Sequence, residues 1–226
     1  MKKVFTIIKA DSERVPKKNF LKLGRKPMWK WLLEELSDFD VYVNTDSEEL
    51  IEELASYSHI TPICRSQKHI DWELRAADIG SPVMDMVKEF CEGFLADDEI
   101  FALVHITSPF LKSVTLAAAF DKYEQLSCHS IHSVKKIQDF TMSEDQGGIE
   151  PMNFSFDRVS RTQDLKPYFQ SLGAFFVLNS KKLNQENYRR LTADSVLFPL
   201  SSLEAVEVDT PEEFEFAKLI ASALEE

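Results

Sequence analysis

Short apolar runs and longer stretches with helical spacing take turns along most of this chain. KVFTII (3–8) is nearly continuous in its apolar character and predicts a buried strand. A polar, Lys-rich stretch (10–26) reads as a loop, and Pro27 then stands at a first-turn position ahead of Trp29, Leu32, Leu33 and Leu36 at helical spacing. DVYVNT (40–45) predicts a strand. Ser47 is suited to cap a helix running to about Tyr57, with Glu48 and Glu49 beside its N-terminal dipole, and HITPIC (59–64) predicts the next strand. Helices are predicted at 81–95 and 113–126, and strands at 100–106, 127–134, 173–179, 196–200 and 205–209. Thr210, Pro211, Glu212 and Glu213 form the start signal of a last helix. Strands alternating with helices at this pitch predict an α/β fold whose sheet is mostly parallel and covered on both faces. Between 135 and 170 the rhythm breaks into scattered aromatics around a Gly147-Gly148 turn, which predicts a hairpin excursion, a lid or dimerisation element, within one domain spanning 1–226.

Composition narrows the function classes. The abundance of aliphatic and aromatic side chains argues against disorder, and a formal charge of -12 argues against nucleic acid, which needs a basic footprint. That charge is unevenly placed: residues 1–31 hold ten Lys/Arg and two acids, and the remainder is strongly acidic. A cationic segment on an anionic protein is where an anionic ligand is expected. Cys64, Cys91 and Cys128 show no metal or disulfide spacing, the apolar run behind Lys2-Lys3 is too short for a signal segment, and no stretch approaches the roughly 20 apolar residues of a membrane span. A soluble, cytoplasmic protein is expected.

The loop leaving the first strand lies where α/β sheets bind ligands. It reads Lys9-Ala-Asp-Ser-Glu-Arg-Val-Pro-Lys-Lys-Asn19 and lacks both GxGxxG and GxxxxGK[ST], so dinucleotide binding and P-loop hydrolysis are poor fits. Lys9, Arg14 and Lys18 suit the oxygens of a triphosphate, although composition alone fits a solvated basic loop equally well.

The order of residues separates these readings. Lys9-x-x-Ser12-Glu13-Arg14-Val15-Pro16-x-Lys18-Asn19, followed by Gly24-Arg25-Lys26-Pro27, resembles the N-terminal motif of the CMP-sugar synthetases, the acylneuraminate cytidylyltransferase family. Val43-Asn-Thr-Asp46-Ser-Glu48, Thr107-Ser108-Pro109, Arg161-Thr-Gln163-Asp164-Leu165 with Gly173-Ala174-Phe175, and Glu207-Val-Asp209-Thr210-Pro211 are similar to four further family motifs in the same order.

The resemblance implies a three-layer nucleotidyltransferase of the Rossmann-like, glycosyltransferase-A type. It further implies a homodimer that uses CTP, a 2-keto sugar acid and Mg²⁺ to make a CMP-sugar and pyrophosphate. By the same implication, Lys9, Ala10, Ser12, Arg14 and Lys18 would meet the triphosphate, Asn19 the ribose, and Arg65 and His105 the nucleotide. Arg158 and Arg161, with Gln163, would hold the sugar acid, over a wall formed by Tyr168 and Phe175. Glu207 and Asp209 would hold the metal, their i, i+2 spacing on a strand placing both on one face. Lys9, Lys18 and Asp209 are the expected catalytic residues. As an exposed loop residue, Lys18 is expected to contribute little to stability.

Several positions depart from the family pattern. Lys9 replaces an arginine, Glu13 a basic residue, His105 a glutamine, Leu111 an arginine and Leu172 an asparagine. They leave open an acceptor other than N-acetylneuraminate, another nucleotide, or a non-catalytic nucleotide-binding dimer. His59, His69, His129 and His132 show no triad or metal spacing and read as ordinary core or surface residues.

Overall fold

The computed structural model describes residues 1–76 and 80–225. The first apolar run forms β1 (Lys3–Ile8), flanked in parallel by β4 (Asp40–Thr45) and β6 (Ile100–His105), with β5 (Ile60–Cys64) parallel outside β4. On the other side, β10 (Tyr168–Asn179) runs antiparallel to β6 and to β7 (Ile131–Ile137), and β11 (Val196–Pro199) closes the sheet parallel to β7. The order of this seven-stranded sheet is β11-β7-β10-β6-β1-β4-β5.

Side chains alternate across the sheet and divide the core into two layers. On one side, α1 (Met28–Glu35), α2 (Glu48–Leu54) and α5 (Ser113–Gln125) pack Trp29, Leu33, Leu54 and Phe120 against Val41, Val104 and Phe175. On the other, α4 (Val83–Phe94) and α6 (Ser180–Gln185) pack Phe90 and Leu183 against Phe5, Phe101, Leu103 and Phe176. The terminal α7 (Pro211–Leu224) lies on a two-stranded ribbon, β2 (Lys22–Leu23) with β3 (Lys26–Pro27).

The caps form as the sequence predicts. Ser47 Oγ accepts from Leu50 N at 3.2 Å, and Thr210 with Glu213 makes a full capping box. Elsewhere the structure corrects the pattern. AVEVD (205–209) alternates like a strand, yet among the described residues it pairs with no other strand. It is tied down by Val208 N donating to Thr107 O at 2.8 Å and by the Gly173 amide of β10 donating to Glu207, and it runs as an irregular segment past the end of β6. The strand expected at 127–134 begins only at Ile131, because Cys128 to Ser130 precede the pairing with β10. A short helix, α3 (Gln67–Glu73), went unpredicted because its apolar positions are few. Within 135–170, β7 and β10 stay paired out to Ile137 and Tyr168, and beyond them a separate hairpin forms from β8 (Met142–Asp145) and β9 (Gly148–Pro151). Among the described residues no helix is long and apolar enough to cross a membrane.

Candidate active site

The parallel strands β1, β4 and β6 all end on one edge of the sheet, where the ends of β1 and β6 and the loops that follow them line a cavity of about 260 Å³. Lys9, Ser12, Arg14, Lys18, Asn19, His105 and Asp209 line it. Sequence reasoning therefore assembles one site from residues 200 positions apart. The chain reaches it by two devices: the first loop folds back through a turn at Lys17 (φ 53°), and the irregular segment after Leu203 brings Asp209 across the end of β6.

The cations of this loop are paired with the protein's own acids. Lys18 is only 6% exposed, which overturns its expected place on an open loop. Its Nζ donates to Asp209 Oδ1 at 2.9 Å and to the Val208 carbonyl at 2.5 Å. Arg14, exposed, reaches the same Asp209 oxygen at 3.4 Å. Lys9 pairs with Glu73 of α3, a residue that no motif singled out.

The backbone donors are engaged in the same way. Ala10 N donates to Asp46 Oδ1 at 2.8 Å, and Asp11 Oδ1 accepts from Ser12 N at 2.9 Å and Lys17 N at 3.0 Å. The Lys17 and Ser12 amides hold the Asp11 carboxyl below its ordinary range. Asn19 donates to the Lys9 carbonyl at 3.0 Å, while its Oδ1 is buried without a partner among the described residues.

Arg65 lies beneath the cavity rather than in it. Its buried guanidinium donates to Asn44 Oδ1 at 2.9 Å and faces Asp46 at 3.6 Å and Glu73 at 3.7 Å. Burial lowers its pKa, against the pull of those two acids. Arg65 thus fixes the acids that in turn hold Ala10 and Lys9.

At the far side, Glu207 Oε1 accepts from Gly173 N at 2.7 Å. Burial raises the Glu207 carboxyl, the Gly173 amide opposes the rise, and the neighbouring charge of Asp209 adds to it. A Cβ on Gly173 would stand 2.9 Å from Glu207 Oε1 and 3.4 Å from His105 Nδ1, so the absent side chain is what lets the carboxylate and imidazole approach. His105 is held neutral, its pKa lowered to about 4 chiefly by burial, and its Nε2 has no partner among the described residues.

The residues expected around the sugar do not gather at this cavity in the single chain. Arg158 and Gln163 are exposed on the excursion, and Arg161 is paired with Asp164 at 2.7 Å. Tyr168 Oη donates to the Met152 carbonyl at 2.5 Å. Phe175 is fully buried and stacks edge-on to Phe198 in the layer opposite His105, because alternation along β10 turns it away; Phe176 faces His105 instead. Leu111 and Leu172 are likewise core residues. Of the histidines set aside, His69 Nε2 lies 2.9 Å from Asp85 and 3.7 Å from Glu89, a grouping close enough for a metal. The Lys68 ammonium already lies 2.5 Å from that Asp85 oxygen.

A protein-family model described as cytidylyltransferase matches residues 6–150, which run from β1 through the cavity loops into the β8–β9 hairpin. The chain belongs to the cytidylyltransferase family. An N-acylneuraminate cytidylyltransferase of Streptococcus agalactiae serotype V is 27% identical over 217 residues, covering 91% of this chain and 50% of that protein. A pseudaminic acid cytidylyltransferase of Campylobacter jejuni serotype O:2 is 25% identical, covering 94% and 92%. This chain therefore spans about half the length of the streptococcal relative and nearly all of the other.

Among solved structures, a CMP:2-keto-3-deoxy-manno-octonic acid synthetase complexed with CTP superposes with a TM-score of 0.68 at 14% identity, covering 99% of this chain and all of that one. A 4-diphosphocytidyl-2C-methyl-D-erythritol synthase gives 0.65 at 11% identity, covering 97% and 98%. These likenesses establish the fold, and the nucleotidyltransferase architecture expected from the sequence is the one the family adopts.

Proposed function

We propose that this protein transfers CMP from CTP to the anomeric hydroxyl of a 2-keto sugar acid and releases pyrophosphate. The observation that carries the reading is the gathering of Lys9, Arg14, Lys18, Asn19 and Asp209 around one cavity, in a chain of this family. Lys9 and Lys18 neutralise the triphosphate, Arg14 adds a fork at the rim, and the free Oδ1 of Asn19 accepts from a ribose hydroxyl. The hydroxyl oxygen forms the new bond to the α-phosphorus in line as that phosphorus loses its bond to the α–β bridging oxygen; pyrophosphate leaves with that oxygen and the hydroxyl proton passes to solvent, a step governed by positioning and charge neutralisation.

Glu207 and Asp209 are two hard carboxylates whose mutual repulsion a cation would relieve, so their chemistry fits Mg²⁺. When bound, that ion would offset charge on phosphate oxygens. His105 offers the ligand an unpartnered ring nitrogen at the cavity wall.

Purified protein given CTP, Mg²⁺ and a panel of N-acetylneuraminic, pseudaminic and 2-keto-3-deoxy-octonic acids should release pyrophosphate. No release with any of them would sink the reading.

The ion pairs make nucleotide binding an exchange. Glu73 must give up Lys9 before a phosphate takes it, so Glu73→Gln should bind CTP about fivefold more tightly by calorimetry, the scale of one partly exposed ion pair. Weaker binding by the variant would show that Glu73 supports the site rather than competes for it.

The excursion carries Phe140, Met142, Ile149, Phe156 and Val159 exposed, Val159 at 97%. Such a strip on one arm supports a homodimer of copies of this chain. Phe156→Asp should then sediment as a monomer where the unaltered protein sediments as a dimer. The three cysteines are free, and the Cys91 thiol is pushed up to about 12 by burial.

A further inference from the structure

One cluster of ligating side chains lies outside the cavity, where α3 meets α4. His69 of α3 is fully buried, and its Nε2 faces two carboxylate oxygens one helical turn apart on α4, Asp85 Oδ2 at 2.9 Å and Glu89 Oε1 at 3.7 Å. The i, i+4 spacing of Asp85 and Glu89 puts both on the face of α4 that meets α3. All three donor atoms lie within 4.8 Å of one another. Zinc bonds of about 2.0–2.2 Å at tetrahedral angles hold neighbouring donor atoms about 3.3–3.6 Å apart, and the two distances from His69 bracket that separation.

The imidazole is oriented as a ligand must be. Ser66 is the N-cap of α3, yet its hydroxyl makes no capping bond and lies 3.0 Å from His69 Nδ1 instead. A hydroxyl both donates and accepts, so Ser66 serves either ring tautomer. It donates to Nδ1 while Nε2–H bonds Asp85, and it accepts from Nδ1–H when Nε2 gives its lone pair to a metal. The cluster also holds a cation of its own. Lys68 Nζ meets the same two oxygens, Asp85 Oδ2 at 2.5 Å and Glu89 Oε1 at 3.5 Å, and its side chain is 58% exposed. An ammonium on a flexible, largely solvated stem marks where positive charge is favoured, and it is free to swing into water when a metal arrives.

We propose that His69, Asp85 and Glu89 form a second divalent-metal site, for a transition ion of the Zn²⁺ class with water as its fourth ligand, and that Lys68 is the resident cation the metal displaces. One imidazole with two carboxylates favours such an ion over Mg²⁺, which takes oxygen ligands in an octahedral array. The site is separate from Glu207 and Asp209 and does not depend on the reaction proposed above. Its consequence is mechanical. α3 carries Glu73, the partner of Lys9, and α4 begins at Val83 on the cavity wall, so the ion fastens together two elements that border the cavity.

The test titrates chelator-treated protein calorimetrically with zinc chloride, in excess Mg²⁺ to compete for Glu207 and Asp209, and locates the ion by zinc anomalous scattering from a soaked crystal. Zinc should bind between α3 and α4 and raise the urea midpoint. Glu89→Gln changes a half-exposed side chain and so keeps the fold where replacing the buried His69 risks losing it; it should weaken binding at least about 100-fold. Ser66→Ala leaves all three ligands and should cost about tenfold, the scale of a lost orienting partner. Lys68→Met removes the competing ammonium and should tighten binding about fivefold, the scale of one exposed ion pair. A crystal with no zinc at the cluster, or equal affinities in wild type and Glu89→Gln, would overturn the site. Weaker zinc binding by Lys68→Met would remove that lysine from its role as the displaced cation.

Discussion

Lys18→Met is expected to lose both turnover and stability, and the two losses have different origins. Its ammonium is buried against Asp209 Oδ1 and the Val208 carbonyl, so the substitution leaves that carbonyl without its donor and Asp209 with only the rim arginine. Hydrogen bonds to charged groups contribute roughly 1.5–3 kcal/mol, and Asp209 is 39% exposed, so solvent offsets part of the loss and a cost of about 1–2 kcal/mol is expected. Pyrophosphate release should fall at least about 100-fold, as it does when a preorganised charge at a reacting phosphate is removed. Arg14→Ala is the control, because its exposed side chain makes a longer contact and should move the urea midpoint little. Equal midpoints for wild type and Lys18→Met would contradict the buried pairing. Undiminished turnover would remove Lys18 from the reaction.

The second large effect is acid sensitivity through His132. Burial, with Arg190 adding to it, lowers its pKa to about 4 from an ordinary value near 6.5. Below 6.5 the unfolded chain takes up a proton that the folded chain refuses until about pH 4, so stability falls as pH drops through that interval and is recovered as pH rises. For this one group the loss at pH 5 is about 2 kcal/mol relative to pH 7. His132→Phe retains a ring against Phe176 and cannot titrate, so its urea midpoint should change less between pH 7 and pH 5 than that of wild type. Parallel changes in the two proteins would show that His132 is not what makes the fold acid-sensitive.

How much of the structure was legible in the sequence depends on how local each signal is. β1, β4 and β6 are apolar runs buried on both faces, and the caps at Ser47 and Thr210 are short, contiguous patterns, so each could be read without the rest of the chain. AVEVD was misleading because alternation describes a surface and does not supply a neighbouring strand. The same division holds at the site. Lys9, Lys18 and Asn19 share one loop motif, and Asp209 announces itself beside a helix cap, whereas Glu73 reaches its position through a short polar helix that leaves no spacing to recognise. Phe175 and Phe176 show the limit most simply. A motif can name the neighbourhood, but a shift of one residue decides which ring faces the cavity and which enters the core.

The self-pairing of the first loop bears on how this pocket discriminates among anions. Asp11, Asp46, Glu73 and Asp209 occupy the donors of a protein that is itself negative, so little attractive field extends into solution to draw a nucleotide inward. Selection then happens on contact. Chloride, sulfate or a nucleoside monophosphate can replace one resident carboxylate and gains almost nothing by doing so, while a triphosphate replaces several in a single event with its ordering cost met once. A pocket filled by its own acids is in this way closed to the small anions that surround it and open to a chelating one.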